Sequence, residues 1–362
     1  MNQLSSLQLV RAIAAIMVVV FHINIFILPA RLYDGDNAFR FLNIGYSGVE
    51  FFFALSGFIM VYIHQKDFNH AERLHNFMKK RVIRLVPLYW LILGALVIAS
   101  ALVPTIGPEQ KPDFLELTQN FLLAPSEKTM LLEVAWTLRH EVLFYAVFGL
   151  LIYSAQIGRT VMTFWFVGCA TALLFADMPF PASFLFSAYN LIFLAGMLAA
   201  KFWNQLSPKA AVTCVAGGLV FFIAIVAGEL YRVLPIAENW RTVGLGVGAA
   251  TTIAGLVAME SHGMFKSPRV LSLVGDSSYA LYLIHLPVLT ATAPIIAKLG
   301  LNQLLPPQIM VVLLAIGCVV AGLITHFIIE KPLMRASGRL AEKYAPRTSS
   351  ASAKSSENKF SS

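Results

Sequence analysis

The feature that most restricts this chain is a recurring length: apolar runs of about 17 to 25 residues fall at 9–28, 46–64, 86–104, 140–155, 160–176, 183–201, 210–228, 241–259, 277–297 and 308–329. Coiled as helices, such runs match the hydrocarbon thickness of a bilayer. Lipid offers no hydrogen bonds, so the backbone must satisfy itself within each run. With 58% hydrophobic and 13% charged residues over 362 positions, a soluble globular protein is excluded. The expectation is an all-α, polytopic membrane protein of about ten transmembrane helices. The fourth and fifth runs are short, and Gly158-Arg159 leaves almost no loop between them.

Ten spans place both termini on one side of the membrane. The loops on that side hold nineteen Lys and Arg against eight on the other, so the positive-inside rule makes both termini cytoplasmic. The net charge of +8 is therefore an orientation signal beside apolar runs, and no nucleic-acid partner is expected. The first run lacks a basic segment before it and a small-residue cleavage pattern after it, which reads as a retained helix. Cys169, Cys214 and Cys318 lie in separate apolar runs without metal-ligand spacing, and no metal site is expected.

Within the first run, LVRAIAAIMVVVFHINIFIL, Arg11 and His22 are the ionisable groups. Their spacing amounts to three helical turns plus about 20°, so both project from one face roughly 16 Å apart along the axis. An ionisable group in a bilayer needs a partner or water, and two on one face argue for an internal polar cavity. The plainer alternative is that Arg11 snorkels to the interface while His22 bonds a neighbouring helix.

Other polar residues interrupt apolar surroundings. Glu50 stands at the external start of the second span, where solvation is cheap. Glu141 follows Trp136, Thr137, Arg139 and His140 at the mouth of the fourth. Tyr279, Tyr282 and His285, three apart, share a helix face, and Glu330 before Lys331-Pro332 suits a cap or an ion pair with His326 nearby. The cytoplasmic loop before Pro87 carries Lys79, Lys80, Arg81 and Arg84, a cluster fit for anionic lipid head groups or for a phosphorylated ligand. The external connection 103–139 includes an amphipathic piece, FLELTQNFLL, expected to lie along the interface. The Ser- and Lys-rich tail after Tyr344 is expected to be disordered. No P-loop, dinucleotide fingerprint, nucleophile elbow or HExxH motif occurs. A histidine with a carboxylate in a membrane cavity then suits two tasks, a general base for group transfer or a proton relay in a transporter.

The ordered pieces LQLVRAIAAIMVVVFH, GVEFFFALSGFIMVY, KKRVIRLVPLYW, AWTLRHEVLFY, GDSSYALYLIHLPV and EKP resemble the acyltransferase-3 family of integral membrane acyltransferases, nearest its ExoZ-like exopolysaccharide O-acetyltransferases. The resemblance covers about residues 5 to 335, with 336–362 left as a cytoplasmic tail. It implies transfer of an acyl group, most often acetyl, from acetyl-CoA or another acyl-CoA to a hydroxyl of a surface polysaccharide or its lipid-linked precursor. The acyl-CoA is then a donor substrate and no tightly bound cofactor is expected. Carried over by position, Arg11 and His22 would be the essential pair and Glu141 the family's acidic residue, all three catalytic; neutral His22 is then expected to be either the base that deprotonates the sugar hydroxyl or a transient acyl carrier, with Glu141 holding its tautomer. Arg81 and Arg84, with Arg11, would hold the donor. Glu50, Trp136, Ser278, Tyr279, Tyr282 and His285 would line the substrate cavity. The resemblance further implies a bacterial cytoplasmic (inner) membrane location, contact with membrane lipids, and a polysaccharide biosynthesis complex or homo-oligomer as setting. Here the external loop is the expected acceptor-docking surface. A proton-coupled transporter or flippase for a glycan intermediate is the competing reading, disfavoured by the lack of paired broken helices in two matched halves.

Overall fold

The computed structural model describes residues 4–102, 112–175, 178–233 and 235–343, all helix or loop, with no strand among them. Helix α1 (Ser5–His22) runs on as a wider π-helix, Ile23–Leu32, and a 3-10 segment, Arg40–Ser47, leads into α2 (Gly48–His64). Helix α3 (Leu74–Leu102) is followed by the short α4 (Phe114–Leu122), then by the hairpin of α5 (Trp136–Tyr153) and α6 (Ala155–Ala172). The turn α7 (Ala182–Leu185) precedes α8 (Ala188–Phe202), α9 (Pro208–Leu230) and α10 (Glu238–Ser261). Helix α11 (Arg269–Asp276) leads to α12 (Ser278–Lys298), α13 (Leu301–Leu304), α14 (Pro307–Thr325), a π turn at His326–Glu330 and α15 (Lys331–Lys343).

Among the described residues nine helical segments are long and apolar enough to cross a membrane, one fewer than the ten runs. The missing one is the fifth run, now α6, because Gln156, Arg159 and three threonines dilute its hydropathy. Its path is nevertheless that of a full bundle member. Helix α5 ends where Leu151 accepts from the backbone of Asn69, and α8 begins at the opposite end, where Asn190 meets His140 on the first turns of α5. Helix α6 carries the chain between those ends.

The direction of the central helices follows from side-chain contacts. Arg11 reaches Ser278, His22 reaches His285, Asn302 donates to Leu32 and Tyr33 to Leu305, so α1 and α12 run parallel. Helix α10 runs against them: Glu260 at its far end accepts the backbone N–H groups of Ser5 and Ser6, each at 2.8 Å. That carboxylate satisfies donors a helix start leaves open and places negative charge at the positive dipole end. Ala12, Ala14 and Ala15 are buried on α1, whose slender stripe lets neighbours approach. Helices α2 and α8 pack as closely. A methyl added at Gly57 would meet the Phe193 carbonyl, and one at Gly196 the Ala54 carbonyl.

Helix α4 is held by an Asp113–Glu116 capping box, and its backbone accepts from Tyr89 and Trp90 of α3. Phe114, Leu115 and Leu122 stay exposed on it, as expected of a helix lying at the interface. At the other terminus the expected tail boundary moves. Helix persists to Lys343, because α15 packs on α3 and sends Met334 into the central cavity, whereas residues 344–362 lie outside the described set.

Candidate active site

A cavity of about 670 Å³ opens between α1, α2, α3, α5 and α12. Seven of the residues expected at the site line it: Arg11, Arg81, Arg84, Glu141, Ser278, Tyr279 and Tyr282. Arg11 is fixed by donating Nε to the Ser278 hydroxyl at 3.1 Å. The basic cluster of α3 turns Lys80, Arg81 and Arg84 toward the cavity, since positions 80, 81 and 84 share one helical face.

Arg81 is the most fully positioned of these cations. Its Nη2 donates to His64 Nε2 at 3.2 Å, and His64 Nδ1 in turn donates to Asp67 at 2.8 Å, which fixes the histidine tautomer through its two partners. The guanidinium also lies over the rings of Phe77 and Tyr145, 5.7 Å from each centroid. Its Nε is buried without a partner, as is Gln8 Oε1 on α1. Hydrogen-bonding capacity is therefore left unfilled in two cavity-lining residues. Neither His64 nor Asp67 was singled out from the sequence, although their i, i+3 spacing was visible there.

Glu141 accepts from Tyr145, one turn on, and from Ser56 of α2 at 3.3 Å. It does not hold the tautomer of His22, which corrects the expected pairing. His22 Nδ1 instead donates to the Val18 carbonyl one turn back, at 2.8 Å, and lies 3.3 Å from His285 Nε2. His285 Nδ1 donates to the Tyr282 carbonyl at 2.8 Å, leaving its Nε2 to accept from His22. With Nδ1 so committed, His22 presents Nε2 as its unprotonated nitrogen.

Neither His22 nor His285 lines the large cavity; both lie beyond Tyr282 and Phe52. The Tyr282 ring is 5.7 Å from Phe52 and 6.0 Å from His285, and its hydroxyl is held by the Val134 carbonyl at 2.9 Å and Thr137 at 3.1 Å. The shared face of Arg11 and His22 is thus real, because both meet α12, but one cavity does not reach both. Tyr282 is the lining residue that also touches His285.

Two further expectations move. Glu50 is buried to 1% exposure with Oε2 unpartnered and does not line the cavity, so its position near a span boundary did not give it solvent. Trp136 packs instead with Phe53, Tyr189 and His140. Glu330 is buried and its Oε2 lies 2.6 Å from His326 Nδ1, one turn earlier.

A family model described as an acyltransferase domain matches residues 4–326. The exopolysaccharide production protein ExoZ of Rhizobium meliloti is 29% identical over 306 residues, which cover 81% of this chain and 90% of that protein. The acyltransferase MdmB of Streptomyces mycarofaciens is 25% identical over 93% of each chain. The peptidoglycan O-acetyltransferase OatA of Listeria monocytogenes is 25% identical over 80% of this chain, which spans 50% of that longer protein. No solved structure matches the chain.

Proposed function

The chain belongs to the acyltransferase domain family and is a multi-pass membrane acyltransferase, and from that premise we infer that it moves an acetyl group from cytosolic acyl-CoA to a hydroxyl of an exopolysaccharide or its lipid-linked precursor. The similarity to ExoZ and to a peptidoglycan O-acetyltransferase supports a glycan acceptor and an O-acetyl product. The carrying observation is the placement of four cations, Arg11, Lys80, Arg81 and Arg84, along one cavity with Glu141 as the acidic residue in its lining. Phosphate groups are met best by guanidinium forks, and a volume of this size accommodates an acyl-pantetheine arm while the nucleotide stays at the mouth. Both described ends lie at the cavity end of the bundle, the end that the positive-inside count favours as cytosolic.

In this reading Arg11, three turns short of His22, holds a phosphate of the donor. The acyl end extends beside Tyr282, which lines the cavity and lies 6.0 Å from His285, toward the imidazoles. His22 Nε2 removes the proton of the acceptor hydroxyl, the alkoxide oxygen attacks the thioester carbonyl, the C–S bond breaks, and the thiolate leaves to take up a proton. Val18 and His285 keep Nδ1 occupied, so the base is presented in a single orientation. The experiment is a mass and NMR comparison of surface glycan from cells with wild-type protein and with His22→Ala. Unchanged polymer yield with ester-linked acetyl removed is the expected result. Lost export with acetylation intact would favour transport.

A further inference from the structure

The geometry points to a sugar-binding subsite at the opposite end of the bundle, where Glu229 and Arg241, backed by Tyr46, wall a second cavity; it deepens the acyl-transfer reading and rests on it for the identity of the acceptor. The cavity measures about 260 Å³ and is walled by Glu229, Arg232 and Arg241 with Ile225, Pro235 and Ile236. Arg241 forms an ion pair with Glu229, the Tyr46 hydroxyl donates to the same carboxylate, and the guanidinium lies 5.4 Å from the Tyr46 ring centroid.

Three features suit a sugar ring. A carboxylate beside a guanidinium offers acceptors and donors at adjacent positions, which complements vicinal hydroxyls that both donate and accept. Buried Arg241 Nε has no partner, so polar capacity at this cluster is unfilled. The Arg241 charge is already met by Glu229 and faces Glu238 at 3.9 Å, which favours a neutral polyol over a phosphate at this guanidinium.

The cluster is linked to His22 through aromatic rings. Tyr46 lies 6.0 Å from Phe21 and Phe21 5.2 Å from His22, while Phe26, 49% exposed, stacks on His22 at 5.7 Å. Sugar faces pack well on such surfaces, so a chain held at Glu229 has a route for a neighbouring residue's hydroxyl to reach His22 Nε2. The donor cavity and this subsite then approach the imidazoles from opposite ends, and the acceptor need not enter the cytosolic cavity.

The test uses the full chain purified in detergent and saturation-transfer NMR with methyl β-D-glucoside and methyl β-D-galactoside as probes. At least one glycoside is expected to show transfer to its ring protons, falling at least fivefold in Glu229→Gln and in Ile236→Trp, and persisting in His22→Ala. Ile236→Trp fills the cavity from its rim and leaves the polar trio intact, so it decides the matter should Glu229→Gln fail to fold. No transfer in the wild type, or transfer unchanged by Ile236→Trp, overturns the subsite, as does displacement of the glycoside by phosphatidylglycerol micelles with no effect of Ile236→Trp. Because binding is read without acyl-CoA, glycoside binding without acetyl transfer would sink the acyl-transfer reading while leaving the subsite.

Discussion

Replacing His64 by Phe isolates the device that sets Arg81. The ring of His64 packs edge-on against Phe77 at 5.0 Å, a contact a phenyl ring can keep, whereas the acceptor for Arg81 Nη2 is lost. A hydrogen bond involving a charged group contributes about 1.5–3 kcal/mol. Part of that position is retained through the faces of Phe77 and Tyr145, so the lower figure applies. At about 1.4 kcal/mol per decade, the KM for acyl-CoA rises roughly tenfold. The kcat stays within about twofold, since only ground-state and transition-state binding shared by the donor is lost. Thiol release against donor concentration in proteoliposomes measures both constants. His64→Gln, whose side-chain carbonyl can still accept from Arg81, recovers most of the affinity. Acidification acts in the same direction: a protonated His64 faces Arg81 with a donor and a like charge, so donor KM climbs as pH falls, and His64→Phe flattens that profile. A fall in kcat at constant KM, or wild-type kinetics in His64→Phe, would refute the reasoning.

Three other outcomes are expected. His285→Phe removes a shared partner of His22 Nδ1 while Val18 keeps the other, and a loss of about 0.5–1.5 kcal/mol lowers kcat by roughly 2- to 12-fold at constant donor KM, read in the same assay. Gly57→Val drives a side chain into the Phe193 backbone, and overpacking of about 1–3 kcal/mol lowers the melting temperature in detergent by several degrees. At α4, the Glu116 backbone N–H lowers the carboxyl pKa of Asp113, and a hydrogen bond from Lys128 lowers that of Glu116, while Glu116 raises that of Lys128. The carboxylate contribution is therefore complete above the ordinary value near 4 and disappears as pH falls through the depressed values. Trp90 fluorescence, reporting its bond to Phe121, is expected to shift on that acidification in wild type and to lose the transition in Asp113→Asn/Glu116→Gln.

Much of the architecture was legible because run length alone counts helices in a bilayer, and a spacing of eleven residues fixes one face whatever opposes it. The opposing element was not legible. Arg11 and His22 do share a wall, yet their partners Ser278 and His285 lie more than 250 residues away, and no local periodicity pairs them with α12. Glu141 was placed correctly in the cavity and given the wrong neighbour for the same reason: its partners Tyr145 and Ser56 come from its own next turn and from α2. Glu50 was misjudged because distance from a span boundary says nothing about the 3-10 segment folded over it. Composition put the tail after Tyr344, outside the described residues, whereas the boundary at 336 followed only from where the resemblance ends, and helix α15 runs through it to Lys343.

The π-helical stretch after His22 has a consequence for how α1 can vary. A wide turn holds one more residue than the α-helical spacing requires, so it takes up slack between the stretch bearing Arg11 and His22 and the stretch anchored through Leu32 and Tyr33 to the segment after α12. Removing one residue from Ile23–Leu32 would tighten the coil and leave both anchorages where they are, whereas removing one between Arg11 and His22 would swing the imidazole by about 100° away from His285. The protein thus keeps its permissible length errors on one side of its reactive ring and none on the other.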